Sequence, residues 1–79
     1  MYFQRLKDLR NDRELTQSEV GKILNIRQNV YSRYEVGYRT LPIEYLIILA
    51  DFYDTSADYI LGRTNDIRPY PKSKLKSFG

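Results

Sequence analysis

Phe3, Leu6 and Leu9 recur at every third position, with Arg5, Lys7, Asp8, Arg10 and Asp12 between and beyond them. This period predicts an amphipathic helix over about residues 2–12. Thr16-Gln17-Ser18-Glu19 then has the form of a capping box: the Thr16 hydroxyl accepts from the Glu19 amide, and the Glu19 carboxylate reaches back to the Thr16 amide. A second helix is expected from there, burying Val20, Ile23 and Leu24 and stopping at Asn25, a residue that tolerates the left-handed backbone. Gly21 lies inside it, a poor helix former suited to a place where another backbone comes close.

Only Asn25 and Ile26 separate that helix from a third pattern, Arg27 to Val36, closed by Gly37. Helices joined by so tight a turn cross steeply. At about 100° per residue, Gln28, Asn29, Ser32 and Arg33 fill an arc of roughly 140°, with Val30, Tyr31 and Tyr34 opposite. That spacing assigns Tyr31 and Tyr34 to the core rather than to base stacking.

Pro42 fits the first position of a fourth helix that reaches about Tyr53, with Glu44 in its first turn, where the helix dipole favours an anion. Ile43, Leu46, Leu49, Ala50 and Tyr53 form its expected core stripe, while Ile48 falls on the outward face of Glu44 and Asp51. Ser56 can cap a short fifth helix carrying Tyr59, Ile60 and Leu61 and closing at Gly62. The pattern is all-α, one domain over residues 1–64. Residues 65–79 show neither helical nor strand periodicity and carry Pro69, Pro71, Lys72, Lys74 and Lys76, so a basic, flexible C-terminal tail is expected.

Composition narrows the function classes. A chain of 79 residues is one domain with a modest core, and without cysteine or histidine it lacks disulfides, the usual zinc ligands and the usual near-neutral general base. No catalytic, metal or cofactor motif stands at a working spacing, and no small-molecule site is evident, so neither an enzyme nor a cofactor is expected. The longest apolar run, Tyr45 to Ala50, is too short to cross a bilayer, and the start lacks a signal-peptide core. A cytoplasmic protein without a membrane partner is the expectation.

The net charge of +3 is unevenly spread. Between residues 20 and 43, Lys22, Arg27, Arg33 and Arg39 face Glu35 alone, whereas residues 44–62 hold Glu44, Asp51, Asp54 and Asp58 and no base. A polyanion should find the first segment. The third helix suits the major groove of double-stranded DNA, where Gln28 and Asn29 can each exchange hydrogen bonds with adenine and Arg33 can fork onto guanine. Ser32 is short enough to add a bond or leave clearance, and Arg39 just beyond would neutralise a phosphate.

The run from Leu15 to Glu35, continued by Leu46 to Ala50 and by Asp58-Tyr59-Ile60-Leu61-Gly62-Arg63-Thr64, resembles the helix-turn-helix of the Cro and cI repressors, the Xre family. The resemblance implies a compact five-helix fold of the lambda-repressor type, with a reader motif at about 17–36 and the third helix in the major groove. It implies base contacts from Gln28, Asn29, Ser32 and Arg33, a phosphate contact from Gln17, and Tyr38, Arg39 and Thr40 along the DNA backbone. Arg10 and Glu35 match a buried ion pair of the family. Three positions depart from the family pattern. Asn25 stands where glycine is frequent. Arg27 replaces a serine or threonine cap and is free to reach a phosphate instead. Ile48, beside Tyr45, stands where a polar residue is common, which suggests a dimer surface.

The function implied is sequence-specific DNA binding by a bacterial or phage transcriptional regulator, a repressor acting as a homodimer on a palindromic operator. The alternative is a protein-interaction module, such as the antitoxin half of a toxin-antitoxin pair, in which the fourth helix or the tail meets a partner.

Overall fold

The computed structural model describes residues 3–71, which form five helices: α1 (Gln4–Asp12), α2 (Gln17–Ile23), α3 (Gln28–Glu35), α4 (Ile43–Phe52) and α5 (Ala57–Ile60). α2 and α3 pack closely as a pair, α4 leans on α5, and α1 touches both α3 and α5. Phe3, Leu6 and Leu9 from α1 meet Val20, Leu24, Tyr31, Leu41, Leu46, Leu49, Ala50, Tyr53 and Ile60 in one continuous core. The three-residue period of α1 and the Leu46, Leu49, Ala50, Tyr53 stripe of α4 thus both contribute to that one core.

The starts of the helices follow their side chains. Thr16 Oγ1 accepts from the Glu19 amide at 3.1 Å and Glu19 Oε1 accepts from the Thr16 amide at 2.9 Å, completing the capping box of α2. Ser56 Oγ accepts from the Tyr59 amide and starts α5. Arg27, in the cap position of α3, makes no capping bond. Pro42 caps α4 instead of occupying its first turn, so α4 begins one residue later than expected, at Ile43.

Four of the five ends share one device. After α2, Asn25 adopts φ 59°, its amide donates to the Lys22 carbonyl, and the Ile26 amide returns to the Gly21 carbonyl at 2.8 Å. This is a Schellman motif, which satisfies carbonyls that the helix end would otherwise leave unpaired. Leu15 returns to Arg10 after α1, Thr55 to Ala50 after α4, and Arg63 to Asp58 after α5, with Glu14, Asp54 and Gly62 in the left-handed region. Glu14 and Asp54 were not foreseen there, because neither is glycine or asparagine. They hold a conformation that costs an ordinary residue about 1–2 kcal/mol.

Three apolar expectations need correction. Ile23, assigned to the buried stripe of α2, is only half-buried and is not part of the core. Ile43, assigned to the core stripe of α4, is 68% exposed, and Leu61, assigned to α5, is 37% exposed. Ile43 is the first residue of its helix, and its Cα–Cβ bond leans toward the N-terminus, past the edge of the core. Leu61 is the C-cap residue of α5, just past its last turn. Residues 64–71 run back over the domain. The Arg5 guanidinium donates to the carbonyls of Tyr59 and Thr64 and to Asn65 Oδ1 and lies over the Tyr59 ring; the Thr55 hydroxyl donates to the Ile67 carbonyl; Tyr70 donates to Asp58. Lys72, Lys74 and Lys76 of the expected tail lie outside the described residues.

Candidate nucleic-acid interface

The turn between α2 and α3 is set by Gly21. A Cβ built there would stand 2.9 Å from the Ile26 carbonyl oxygen, closer than real Cβ contacts come, so only glycine lets the turn fold back onto α2. This close approach fixes the angle at which α3 leaves. Tyr31 is fully buried beneath α3, and the half-buried Tyr34 ring packs edge-on against Tyr45 of α4, centroids 5.9 Å apart. Tyr45, expected at a dimer surface, is therefore partly engaged within the domain.

The other side of α3 is open. Gln28, Asn29 and Arg33 are exposed, Ser32 half-buried, and Asn29, Ser32 and Arg33 have no side-chain hydrogen bond within the described residues. Arg27, Tyr38, Arg39 and Thr40 are exposed at the two ends of the helix, Tyr38 by 76%. The arc read from the helical wheel is thus a continuous outward surface carrying amides and a guanidinium, edged by cations.

Gln17 and Gln28 are not independent. Gln28 Nε2 donates to Gln17 Oε1 at 3.3 Å, and Gln17 Nε2 donates to Glu35 Oε1, also at 3.3 Å. Glu35 in turn accepts from Arg10 Nε and Nη2, both at 2.9 Å, while Arg10 Nη1 donates to the Leu15 carbonyl. Burial pushes the Glu35 carboxyl up, but the Arg10 hydrogen bonds, with Tyr31 and Gln17 beside them, outweigh it and hold its pKa below the ordinary value. The pair raises the Arg10 guanidinium further. The Tyr31 hydroxyl lies beside this charge without a well-formed hydrogen bond, and burial together with the carboxylate drives its pKa far up. Nothing in the wheel or the charge count places Gln17 against both Gln28 and Glu35. The signal was available only as three positions, 17, 28 and 35, on two helices whose crossing the sequence leaves open.

No group of carboxylates among the described residues is arranged to hold a metal ion, and no helix of the described chain is long and apolar enough to cross a membrane. Residues 6–60 match the family model described as helix-turn-helix. The chain belongs to the helix-turn-helix family. The relatives it matches include HTH-type transcriptional regulators, a phage transcriptional repressor and an antitoxin. An uncharacterized HTH-type transcriptional regulator of Bacillus subtilis, YobD, is 42% identical over 98% of this chain and 67% of its own length. The HTH-type transcriptional regulator AnsR of the same organism is 34% identical over 92% of this chain and 63% of its own length. The cryptic phage CTXphi transcriptional repressor RstR of Vibrio cholerae is 31% identical over 96% of this chain and 69% of its own length. The helix-turn-helix chain thus spans about two thirds of each of these relatives. No solved structure gives a significant match.

Proposed function

We propose that this chain is the DNA-reading domain of a cytoplasmic transcriptional repressor that occupies a palindromic operator as a homodimer. The observation that carries the reading is the outward face of α3, where Asn29 and Arg33 are exposed and without side-chain partners among the described residues. Held rigidly over a buried Tyr31, such a face supplies the paired donors and acceptors that base edges in the major groove demand. Gln28, Asn29, Ser32 and Arg33 read bases. Gln17, Arg27, Tyr38, Arg39 and Thr40 contact phosphates and set register.

One such helix reads only a few base pairs, so specificity calls for two domains about one helical turn apart. The outward face of α4 supports pairing: Ile48 is 41% exposed beside Tyr45, with Ile43 and Ile47 also exposed. Repression follows from occupancy of the operator and needs no cofactor and no catalytic step. Selection from a random duplex library, followed by salt titration of the winner, tests the reading. An enriched inverted repeat with half-sites about 10 base pairs apart is expected. Failure to enrich any sequence, with only weak and steeply salt-dependent binding, would overturn it.

A further inference from the structure

The apolar side chains of α3 turn inward, but the residue that ends the helix does not. Tyr31 is buried and Val30 and Tyr34 are half-buried, whereas Val36, the C-cap residue, is 56% exposed. Its φ of −84° and ψ of −1° are helical and its amide donates to the Ser32 carbonyl at 3.0 Å, so Val36 continues the surface of α3. At about 100° and 1.5 Å per residue it stands about 80° round from Gln28 and about 6 Å beyond Ser32 along the axis. That direction lies near the middle of the arc filled by Gln28, Asn29, Ser32 and Arg33. Gln28, Ser32 and Val36 thus form one row at four-residue spacing, two polar side chains followed by an apolar one.

A helix in the major groove meets two kinds of surface. Phosphates offer charged oxygens, which an apolar side chain can only desolvate. Base edges offer donors, acceptors and one alkyl group, the 5-methyl of thymine. We infer that Val36 is a specificity-determining residue: its methyl groups read the 5-methyl group of a thymine beside the base pair that Arg33 meets, by apolar contact and without a hydrogen bond. This rests on the reading of α3 as the helix that enters the groove, and adds to its four polar side chains a contact of different chemistry. Gln28, Asn29 and Arg33 end in amides and a guanidinium suited to adenine and guanine, and none has an alkyl end to meet a thymine methyl. Valine suits the task because its χ1 is nearly fixed on a helix, so little side-chain freedom is lost on contact.

The test uses the full chain and the operator obtained by selection. Arg33→Ala first locates the base pair that Arg33 reads; if it relaxes no base position, the reading of α3 fails and the role of Val36 falls with it. Each thymine of one half-site is then replaced in turn by deoxyuridine, which keeps every hydrogen-bonding group and removes only the methyl. Kd is measured for the parent and for Val36→Ala, a change at an exposed position that keeps the fold. At one thymine beside the Arg33 base pair, the replacement should weaken the parent about 3- to 5-fold, the worth of one methyl group taken out of water. Val36→Ala should lose most of that response, while the other thymines affect both proteins alike within about 2-fold. Equal losses in both proteins at every thymine, or a selected half-site with no thymine beside the Arg33 base pair, would overturn the role of Val36 while base reading by Arg33 stands.

Discussion

Replacing Glu35 by leucine while Arg10 stays in place should remove a large part of the stability of this domain. The Arg10 and Glu35 side chains are 13% and 2% exposed, so the guanidinium is left in the interior without its counter-ion and without water to replace it. Breaking a buried pair from one side costs roughly 3–5 kcal/mol. A chain of 79 residues holds about 4–12 kcal/mol in total at the usual stability per residue. Removing both charges together, as Arg10→Met with Glu35→Leu, should cost only about 1–2 kcal/mol, chiefly because the Leu15 carbonyl loses the bond from Arg10 Nη1. Urea unfolding followed by circular dichroism measures both. The acid limb supplies a second check. Because the folded pKa of Glu35 is depressed, its contribution is complete above the unfolded value of about 4.5 and is lost as pH falls through the lower folded value. The double variant should lack that component of acid sensitivity. Equal destabilisation of single and double variants, or a single variant within about 1 kcal/mol of the parent, would refute the reasoning.

Gly21→Ala should destabilise by about 1–3 kcal/mol despite the better helix propensity of alanine, because its Cβ meets backbone at 2.9 Å; an unchanged or higher urea midpoint would contradict this. Glu14→Gly, at φ 54°, should gain about 1 kcal/mol by relieving the left-handed strain after α1, and a lower midpoint would show the strain is not there. Tyr53 is buried with an unpartnered hydroxyl and its pKa is pushed up to about 12, first by burial and then by the Glu35 charge. Its folded pKa is raised, so stability is full below about pH 10 and about 3 kcal/mol is lost as pH rises to about 12. Tyr53→Phe should remove that part of the alkaline loss, and identical alkaline unfolding in both proteins would refute it. Arg33→Ala should weaken the selected site by about 1–3 kcal/mol and relax one base position, whereas Arg39→Ala should weaken all sequences alike and lower the salt slope by about 1. Equal losses on selected and random DNA for both variants would contradict those roles.

What the sequence made legible was local chemistry. The Thr16 to Glu19 box, the stop at Asn25 and the period of α1 each depend on residues within one or two turns, and each was readable within a residue or two. The outward arc of α3 was readable for the same reason, since a wheel needs only the helix to exist. Ile43 and Leu61 were misassigned because a wheel has no ends: it gives the direction of a side chain around the axis but not whether an opposing element extends far enough to cover it. Glu14 and Asp54 were missed because the Schellman bonds of α1 and α4 are supported by the packed helix on one side and the returning chain on the other. That support overrides the residue preference that a sequence reading relies on.

The ion pair at the base of the reader motif links these two kinds of information. Two hydrophobic residues of matching shape would hold α1 against α3 about as well, since a buried ion pair is weak evidence for stability. Stability alone therefore gives no strong reason for Arg10 and Glu35 to stand there. An apolar pair cannot orient an amide, because it offers no acceptor that a nitrogen must face. If the double apolar variant is as stable as expected, folding does not explain the burial of two charges. Glu35 stands two hydrogen bonds from Gln28, through Gln17, so the pair would then be explained by its polar contacts to the reader motif rather than by the core it sits in.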